Sequence, residues 1–248
     1  MRTVCVIPAR HGSTRLHAKA LREINGRPMI AWVCDVAKGA PEVDEVLVAT
    51  DHEEIAAVAR ACGVEPVMTD PALPSGTDRV HAAVAGRAAD IVVNLQGDEP
   101  TMPSEAISAA HRALLADPGA DISTVCVPIP SAEDFENPMV VKVVRDARMR
   151  SLYFSRSPIP SLPRRPEDWR AGGVPYGQKH LGLYLYRRAA LERFVALPPC
   201  LLERYESLEQ LRALDAGMSI VCVESPRDSV SVDVEDDLRK ASEALSRR

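Results

Sequence analysis

Several things are missing from these 248 residues, and each absence removes a class of function. No apolar run approaches the roughly 20 residues that span a bilayer; the longest, such as Val4–Pro8 and Ile91–Val93, are strand-sized. No apolar segment or cleavage site follows Met1-Arg2-Thr3, so the expectation is a soluble, cytoplasmic chain. There is no excess of positive charge: 30 Lys and Arg stand against 35 Asp and Glu, a net −5, which is not the footprint of a nucleic-acid binder. The six cysteines include no C-x-x-C pair, and most sit among valines and alanines, as in Val125-Cys126-Val127. They read as small buried hydrophobes rather than as zinc ligands or a catalytic thiol. Neither a Walker A sequence nor the G-x-G-x-x-G dinucleotide fingerprint is present, and there is no internal repeat.

What remains is an ordinary globular composition, 46% hydrophobic and 26% charged. The length suits one large domain or two small ones. In the first half, apolar strands (Val4–Pro8, Glu45–Thr50, Pro66–Met68, Ile91–Leu95) alternate with helical stretches. These run over Met29–Lys38, Ile55–Cys62, Arg79–Gly86 and about Ser104–Ala116. Asp51-x-x-Glu54 resembles a capping box ahead of the second helix, and Gly63 closes it. Strands apolar throughout and separated by helices predict a doubly wound α/β fold with a mostly parallel sheet.

The second half predicts strands at Ile122–Pro128, Val140–Arg145, Leu181–Tyr186 and Ile220–Val223. A helix is expected over Leu202–Leu214, and another from about Glu235. Ser157 to Pro175 holds five prolines and two adjacent glycines, too many for a regular element. The pattern therefore predicts a single domain, residues 1–248, with an inserted lid or dimerisation region at about 130–178.

Chemistry concentrates where such a sheet binds ligands, beyond the carboxyl ends of its strands. After the first strand comes Pro8-Ala9-Arg10-His11-Gly12-Ser13-Thr14-Arg15-Leu16-His17-Ala18-Lys19. Three cations, two hydroxyls and a glycine suit a polyphosphate, though a solvated basic loop would look the same. After Ile91–Leu95 comes Gln96-Gly97-Asp98-Glu99-Pro100. Carboxylates opposite a phosphate-gripping loop suggest a Mg²⁺ site, although alone this stretch reads as a turn.

Pro8-Ala9-Arg10-x-x-Ser13-x-Arg15-Leu16-x-x-Lys19, Ala49-Thr50-Asp51, Ser75-Gly76-Thr77-Asp78-Arg79, Asn94-x-Gln96-Gly97-Asp98-Glu99-Pro100 and Tyr153-Phe154-Ser155-Arg156 together carry a resemblance. So do Lys179-His180-Leu181-Gly182-Leu183-Tyr184, Glu206-Ser207-Leu208-Glu209-Gln210-Leu211-Arg212 and Val232-Asp233. In order and over essentially the whole chain, the sequence resembles the sugar-acid cytidylyltransferases. The His180 to Tyr184 and Leu208 to Arg212 segments are similar to the branch acting on 3-deoxy-manno-octulosonate (KDO).

That resemblance implies a homodimer that transfers CMP from CTP to KDO for lipopolysaccharide biosynthesis, with Mg²⁺, releasing pyrophosphate. It implies that Arg10, Ser13, Arg15 and Lys19 hold the triphosphate beside Pro8 and Ala9. Ser75, Gly76 and Arg79 then lie around the nucleoside. Asp98 and Asp233 bind the metal, and Gln96, Arg156, His180, Tyr184, Glu209 and Gln210 receive the acid. Arg10, Arg15, Lys19, Asp98 and Asp233 form the catalytic set.

Plainer roles compete. Asp233 could be a helix N-cap, with Asp236 three residues on. His180 could be an ordinary strand residue, Glu209 and Gln210 a solvated face, and Arg156 a loop cation. Other acceptors also fit the family: 8-amino-KDO, sialic acid, or a small phosphonate such as phosphonoformate. A non-catalytic nucleotide-binding module is the alternative of another class, and retention of Lys19, Asp98 and Asp233 speaks against it. The chain departs from the family pattern at His17 and Ala20, where prolines are usual, and at Val234, where threonine is usual. Losing both prolines implies weaker CTP binding, because the unbound loop has more freedom to lose.

Overall fold

A computed structural model describes residues 1–12, 16–161 and 176–247. Eleven strands and nine α-helices are present among them. In chain order they run β1 (Thr3–Ala9), β2 (Glu23–Ile24), β3 (Arg27–Pro28), α1 (Met29–Lys38), β4 (Glu45–Thr50), α2 (Glu53–Ala61), β5 (Glu65–Met68), α3 (Gly76–Ala83), β6 (Ile91–Leu95) and α4 (Ser104–Ala116). The second half holds β7 (Ile122–Ile129), α5 (Ala132–Glu136), β8 (Lys142–Arg145), β9 (Ser151–Ser155), β10 (Gly177–Arg187), α6 (Arg188–Ala196), α7 (Leu201–Glu206), α8 (Leu211–Asp215), β11 (Ile220–Glu224) and α9 (Glu235–Ser246).

The main sheet has the order β11-β7-β10-β6-β1-β4-β5. Strands β6, β1, β4 and β5 are parallel neighbours, and β7 and β11 form a second parallel pair. Between the two sets lies β10, antiparallel to both β6 and β7. Side chains alternate across the central strand. Cys5, Ile7 and Ala9 join a core cluster with α1, α2 and α4 residues, whereas Val4 and Val6 join another with Val80, Leu191 and Phe194. Burial on both faces is why these strands are apolar throughout.

Five local differences from the sequence reading have physical causes. Helix α2 is capped by His52, whose Nδ1 accepts from the Glu54 N–H at 3.3 Å, rather than by Asp51. Helix α3 begins at Gly76, three residues before the apolar pattern, because Ser75 caps it by accepting from the Asp78 N–H. The helix expected over Leu202–Leu214 is two helices, broken where Ser207 adopts φ +52°. The strand expected over Val140–Arg145 starts at Lys142. Finally, β10 runs eleven residues, because Gly177 to His180 also pair with β7, and Gln178 and Lys179 with β8. Within the expected insertion, β8 and β9 pair antiparallel beside β10, while residues 162–175 lie outside the described residues.

The last helix sets up the site. Leu238 and Ala241 of α9 pack with Leu16, Ile24, Met29 and Val232 in a small separate core. Val232 is wholly buried, which at about 25 cal/mol per Å² contributes on the order of 1.5–3 kcal/mol and pins the residue before Asp233.

Candidate functional site

The carboxyl ends of β1 and β6 open into a cleft of about 280 Å³. It is lined by Pro8, Ala9, Arg10, Lys19, Ser75, Gly76 and Arg79, together with Gln96, Gly97, Asp98 and Asp233. Every nucleotide residue expected from the sequence is there except Ser13 and Arg15, which lie outside the described residues. The two strand ends approach closely at Gly97, where a Cβ would stand 2.8 Å from the Pro8 carbonyl oxygen. Only glycine allows that approach. The N-terminus of α3 also faces the cleft, so its free N–H groups and dipole favour an anion there.

Arg79 is 3% exposed and does not wave in solvent. It donates to Thr69 Oγ1 and lies 3.4 Å from Asp51 Oδ2, while Asp51 Oδ1 accepts from the His11 N–H at 2.9 Å. Asp51, expected from the sequence to cap the second helix, instead ties the loop after β1 to α3. His11 stacks on His52 at 3.9 Å and meets the exposed His17 edge-on at 5.2 Å.

Lys19 and the two aspartates converge. Lys19 Nζ is 2.6 Å from Asp98 Oδ2 and 3.0 Å from Asp233 Oδ1. Burial alone would lower the Lys19 pKa, but Asp98 and Asp233 outweigh it and raise it, so the ammonium stays charged. Asp233 is not a helix cap: Val234 occupies the N-cap position, and Asp237 accepts from the Asp233 and Val234 N–H groups at 3.0 and 3.1 Å. The Asp233 carboxylate is left to face Lys19 and Asp98.

Two hard carboxylates that already share one cation fit a divalent ion. Among the described residues no cluster of three or more His, Cys, Asp or Glu could hold a metal. An ion between Asp98 and Asp233 would therefore complete its shell with phosphate oxygens and water, which is how Mg²⁺ is usually held.

A second group of residues lies alongside. Gln96 Nε2 donates to Asn94 Oδ1 (2.9 Å), Asn94 Nδ2 to Thr77 Oγ1 (3.3 Å), and Thr77 Oγ1 to Glu209 Oε2 (2.7 Å). The other Glu209 oxygen, Oε1, is buried and makes no hydrogen bond. Burial pushes the Glu209 carboxyl above its ordinary value, with Ser75 and Thr77 opposing. Glu209 and Gln210 are thus not a solvated face; they lie in a turn fixed by the paired Arg212–Glu203 bonds at 2.6 and 2.9 Å.

His180 is almost fully buried, and its Nε2 lies 2.8 Å from Thr124 Oγ1. Thr124 donates its only proton to the Leu183 carbonyl, so His180 Nε2 must carry the proton and Nδ1 is the acceptor. Burial holds the imidazole neutral, with its pKa pushed down to about 3. Its ring packs edge-on to Phe154 at 5.1 Å and against Tyr184 at 5.2 Å. Tyr184 pairs with Asn94 across the β10–β6 ladder, which brings it to the Gln96–Glu209 chain.

Arg156 stands apart from these contacts. Its Nε, Nη1 and Nη2 donate to the Glu206, Pro138 and Ser207 carbonyls, so in this structure it buttresses the turn that carries Glu209 and Gln210.

The sequence reading gives no individual role to Asn94, Thr77, Glu99 or Ser229. Asn94 carries a usable signal, a polar residue inside Ile91-Val92-Val93-Asn94-Leu95 on a fully buried strand. Glu99 is 4% exposed and accepts from Ser229 Oγ at 2.5 Å. Burial, reinforced by Asp98, pushes its pKa up to about 7. Nothing near Ser229 in the sequence announces that contact.

Known proteins agree with the geometry. A family model described as cytidylyltransferase matches residues 4–220. A 3-deoxy-manno-octulosonate cytidylyltransferase of Bdellovibrio bacteriovorus is 46% identical over 99% of this chain and 98% of its own. One from Chelativorans is 47% identical over 100% of this chain and 98% of its own. Among solved structures, a CMP:2-keto-3-deoxy-manno-octonic acid synthetase complexed with CTP superposes with TM-score 0.90 at 39% identity, covering 100% of this chain and 99% of that one. A 4-diphosphocytidyl-2C-methyl-D-erythritol synthase from Anaerococcus prevotii shares the fold alone, with TM-score 0.64 at 12% identity over 99% of this chain and 98% of that one.

Proposed function

The chain belongs to the cytidylyltransferase family, and we propose that it transfers CMP from CTP to KDO, releasing pyrophosphate, with Mg²⁺ as cofactor. The observation that carries this reading is the Lys19–Asp98–Asp233 cluster in the cleft, at 2.6 and 3.0 Å. A cation and two carboxylates at the mouth of an anion-favouring cleft suit nucleotidyl transfer.

Arg10, Lys19 and the N-terminus of α3 bind the triphosphate, with Ser13 and Arg15 assigned to the same task. Ser75, Gly76 and Arg79 border the nucleoside. Gln96, His180, Tyr184, Glu209 and Gln210 orient the acid, and Arg156 supports them from behind. Asp98 and Asp233 would hold Mg²⁺, which would supply charge neutralisation on the phosphates and activation of the anomeric hydroxyl. The hydroxyl oxygen then bonds to the α-phosphorus in line as the bond to pyrophosphate breaks and the hydroxyl proton passes to solvent, so alignment, charge neutralisation and deprotonation of the hydroxyl carry the step.

No helix among the described residues is long and apolar enough to cross a membrane. The reaction is assigned to the cytoplasm, ahead of lipopolysaccharide assembly, and to a homodimer. Exposed Met139, Met149 and Leu152, at 55%, 43% and 61%, support an interface on β8, β9 and their flanks.

The test is pyrophosphate release from CTP and Mg²⁺ with KDO, 8-amino-KDO, sialic acid and phosphonoformate offered separately. Turnover with KDO is expected. Turnover with phosphonoformate alone would overturn the acid pocket, and silence with every acid despite CTP binding would overturn the enzyme reading.

A further inference from the structure

Glu99 touches three segments that the proposed chemistry uses. It follows Asp98 directly. Its Oε2 accepts from Ser229 Oγ at 2.5 Å, on the chain leading to Asp233. Its Oε1 also lies against Gly182, in the part of β10 where the pairing with β7 shifts register between Leu181 and Tyr184. The fit at Gly182 is close: a Cβ there would stand 2.9 Å from Glu99 Oε1 and 3.3 Å from Gln96 Cγ.

The surrounding bonds show that Ser229 is a fixed point. Its hydroxyl lies 3.2 Å from Thr101 Oγ1, which accepts from the Val230 N–H at 2.7 Å. Lys179 Nζ donates to the Ser229 carbonyl at 2.9 Å and to Asp228 Oδ1 at 2.8 Å. Three residues later the Val232 N–H donates to the Asp98 carbonyl at 2.9 Å. The Asp233 segment is therefore laid along the Asp98–Thr101 turn; Lys179 ties it to β10, Thr101 ties it to the turn, and Glu99 meets both Ser229 and Gly182. His180 and Tyr184 flank the same irregular stretch of β10.

We propose that Glu99 is a positioning residue that couples the two halves of the site, through Ser229 setting Asp233 opposite Asp98 and through Gly182 setting His180 and Tyr184 for the acid. The inference rests on the roles assigned to those four residues under the proposed function. It predicts a separable pattern. Ser229→Ala weakens metal binding with little change in KM for the acid. Gly182→Ala raises KM for the acid with little change in metal binding. Glu99→Ala does both.

Metal binding is read by electron paramagnetic resonance of Mn²⁺ titrated into the full-length protein with CTP present, with no turnover required. KM and kcat for KDO are read from pyrophosphate release. Losing an outer contact to a metal ligand typically costs about 10–100-fold in affinity or activity, which sets the size expected for each affected arm. Circular dichroism and a melting curve for each variant check that it is folded at the assay temperature.

A melting temperature lowered in all three variants, with Mn²⁺ affinity and acid KM unchanged, would make Glu99 a purely structural residue and overturn the proposal. So would Ser229→Ala and Gly182→Ala moving the same parameter. If Glu99→Ala does not fold, those two single variants still decide the matter. A wild-type protein inert with every acid would count against the assigned function, while the Mn²⁺ arm would go on testing the Ser229 half.

Discussion

His180 and Glu99 are both buried titratable groups, and their effects on stability run in opposite directions with pH. His180 is held neutral by burial, its pKa down at about 3 against an ordinary 6.5. As pH falls from 7 to 5 the unfolded chain takes up a proton at this site and the native protein does not. The native state therefore loses stability, at ~1.4 kcal/mol per pH unit once the unfolded imidazole is mostly charged, or about 2 kcal/mol over this window. Glu99 does the reverse. Burial and Asp98 raise it to about 7 against an ordinary 4.5, so on the way down the native carboxylate takes a proton before the unfolded one. That adds about 2 kcal/mol over the same two units.

The two slopes nearly cancel in the wild-type protein, and removing either exposes the other. His180→Gln, which can still donate to Thr124, should become more stable by about 2 kcal/mol relative to its own pH 7 value when measured at pH 5. Glu99→Gln, which is close in shape and can still bond the Ser229 hydroxyl, should become less stable by about the same amount. The assay is urea unfolding at pH 7, 6 and 5 in EDTA, so that no metal sits beside Asp98. Profiles for both variants parallel to the wild type would refute the reasoning.

Three further outcomes follow from single contacts. Gly97→Ala forces a Cβ to 2.8 Å from the Pro8 carbonyl, so it should cost about 1–3 kcal/mol in urea unfolding and reduce turnover; an unchanged midpoint would mean the strand ends are not that close. Lys142, wholly buried, donates to the Asn137, Val140 and Arg156 carbonyls at 2.8, 2.7 and 2.7 Å. Lys142→Met should destabilise the protein by about 2–4 kcal/mol and raise KM for the acid by releasing Arg156; a loss under 1 kcal/mol would contradict it. His17→Pro with Ala20→Pro should lower KM for CTP in pyrophosphate release, and an unchanged KM would count against the loop argument.

The sheet was legible because its strands are apolar throughout, and a strand buried on both faces admits little else. Met29–Lys38, Ile91–Leu95 and Ser104–Ala116 have the limits the pattern predicts. Helix ends were less legible, because caps such as Ser75 and His52 act through one hydrogen bond that leaves no periodicity. The direction of β10 was not legible at all, since an apolar strand reads alike parallel or antiparallel.

In the site, residues next to strand ends were found because topology places them there. Contacts between Glu99 and Ser229, 130 residues apart, are set by packing and leave no mark in either neighbourhood. Asp233 shows the same limit: on sequence it could be a helix cap, and only Asp237 taking the N–H groups shows that it is not.

Asp98 and Asp233 are proposed to hold a divalent ion in the cleft. Crystals of the protein grown with CTP and Mn²⁺, with anomalous data collected at the manganese edge, test this directly. A peak between the two carboxylates within coordination distance, with Lys19 turned toward the triphosphate, is the predicted result. Manganese bound only to phosphate, with Lys19 still bridging Asp98 and Asp233, would contradict it.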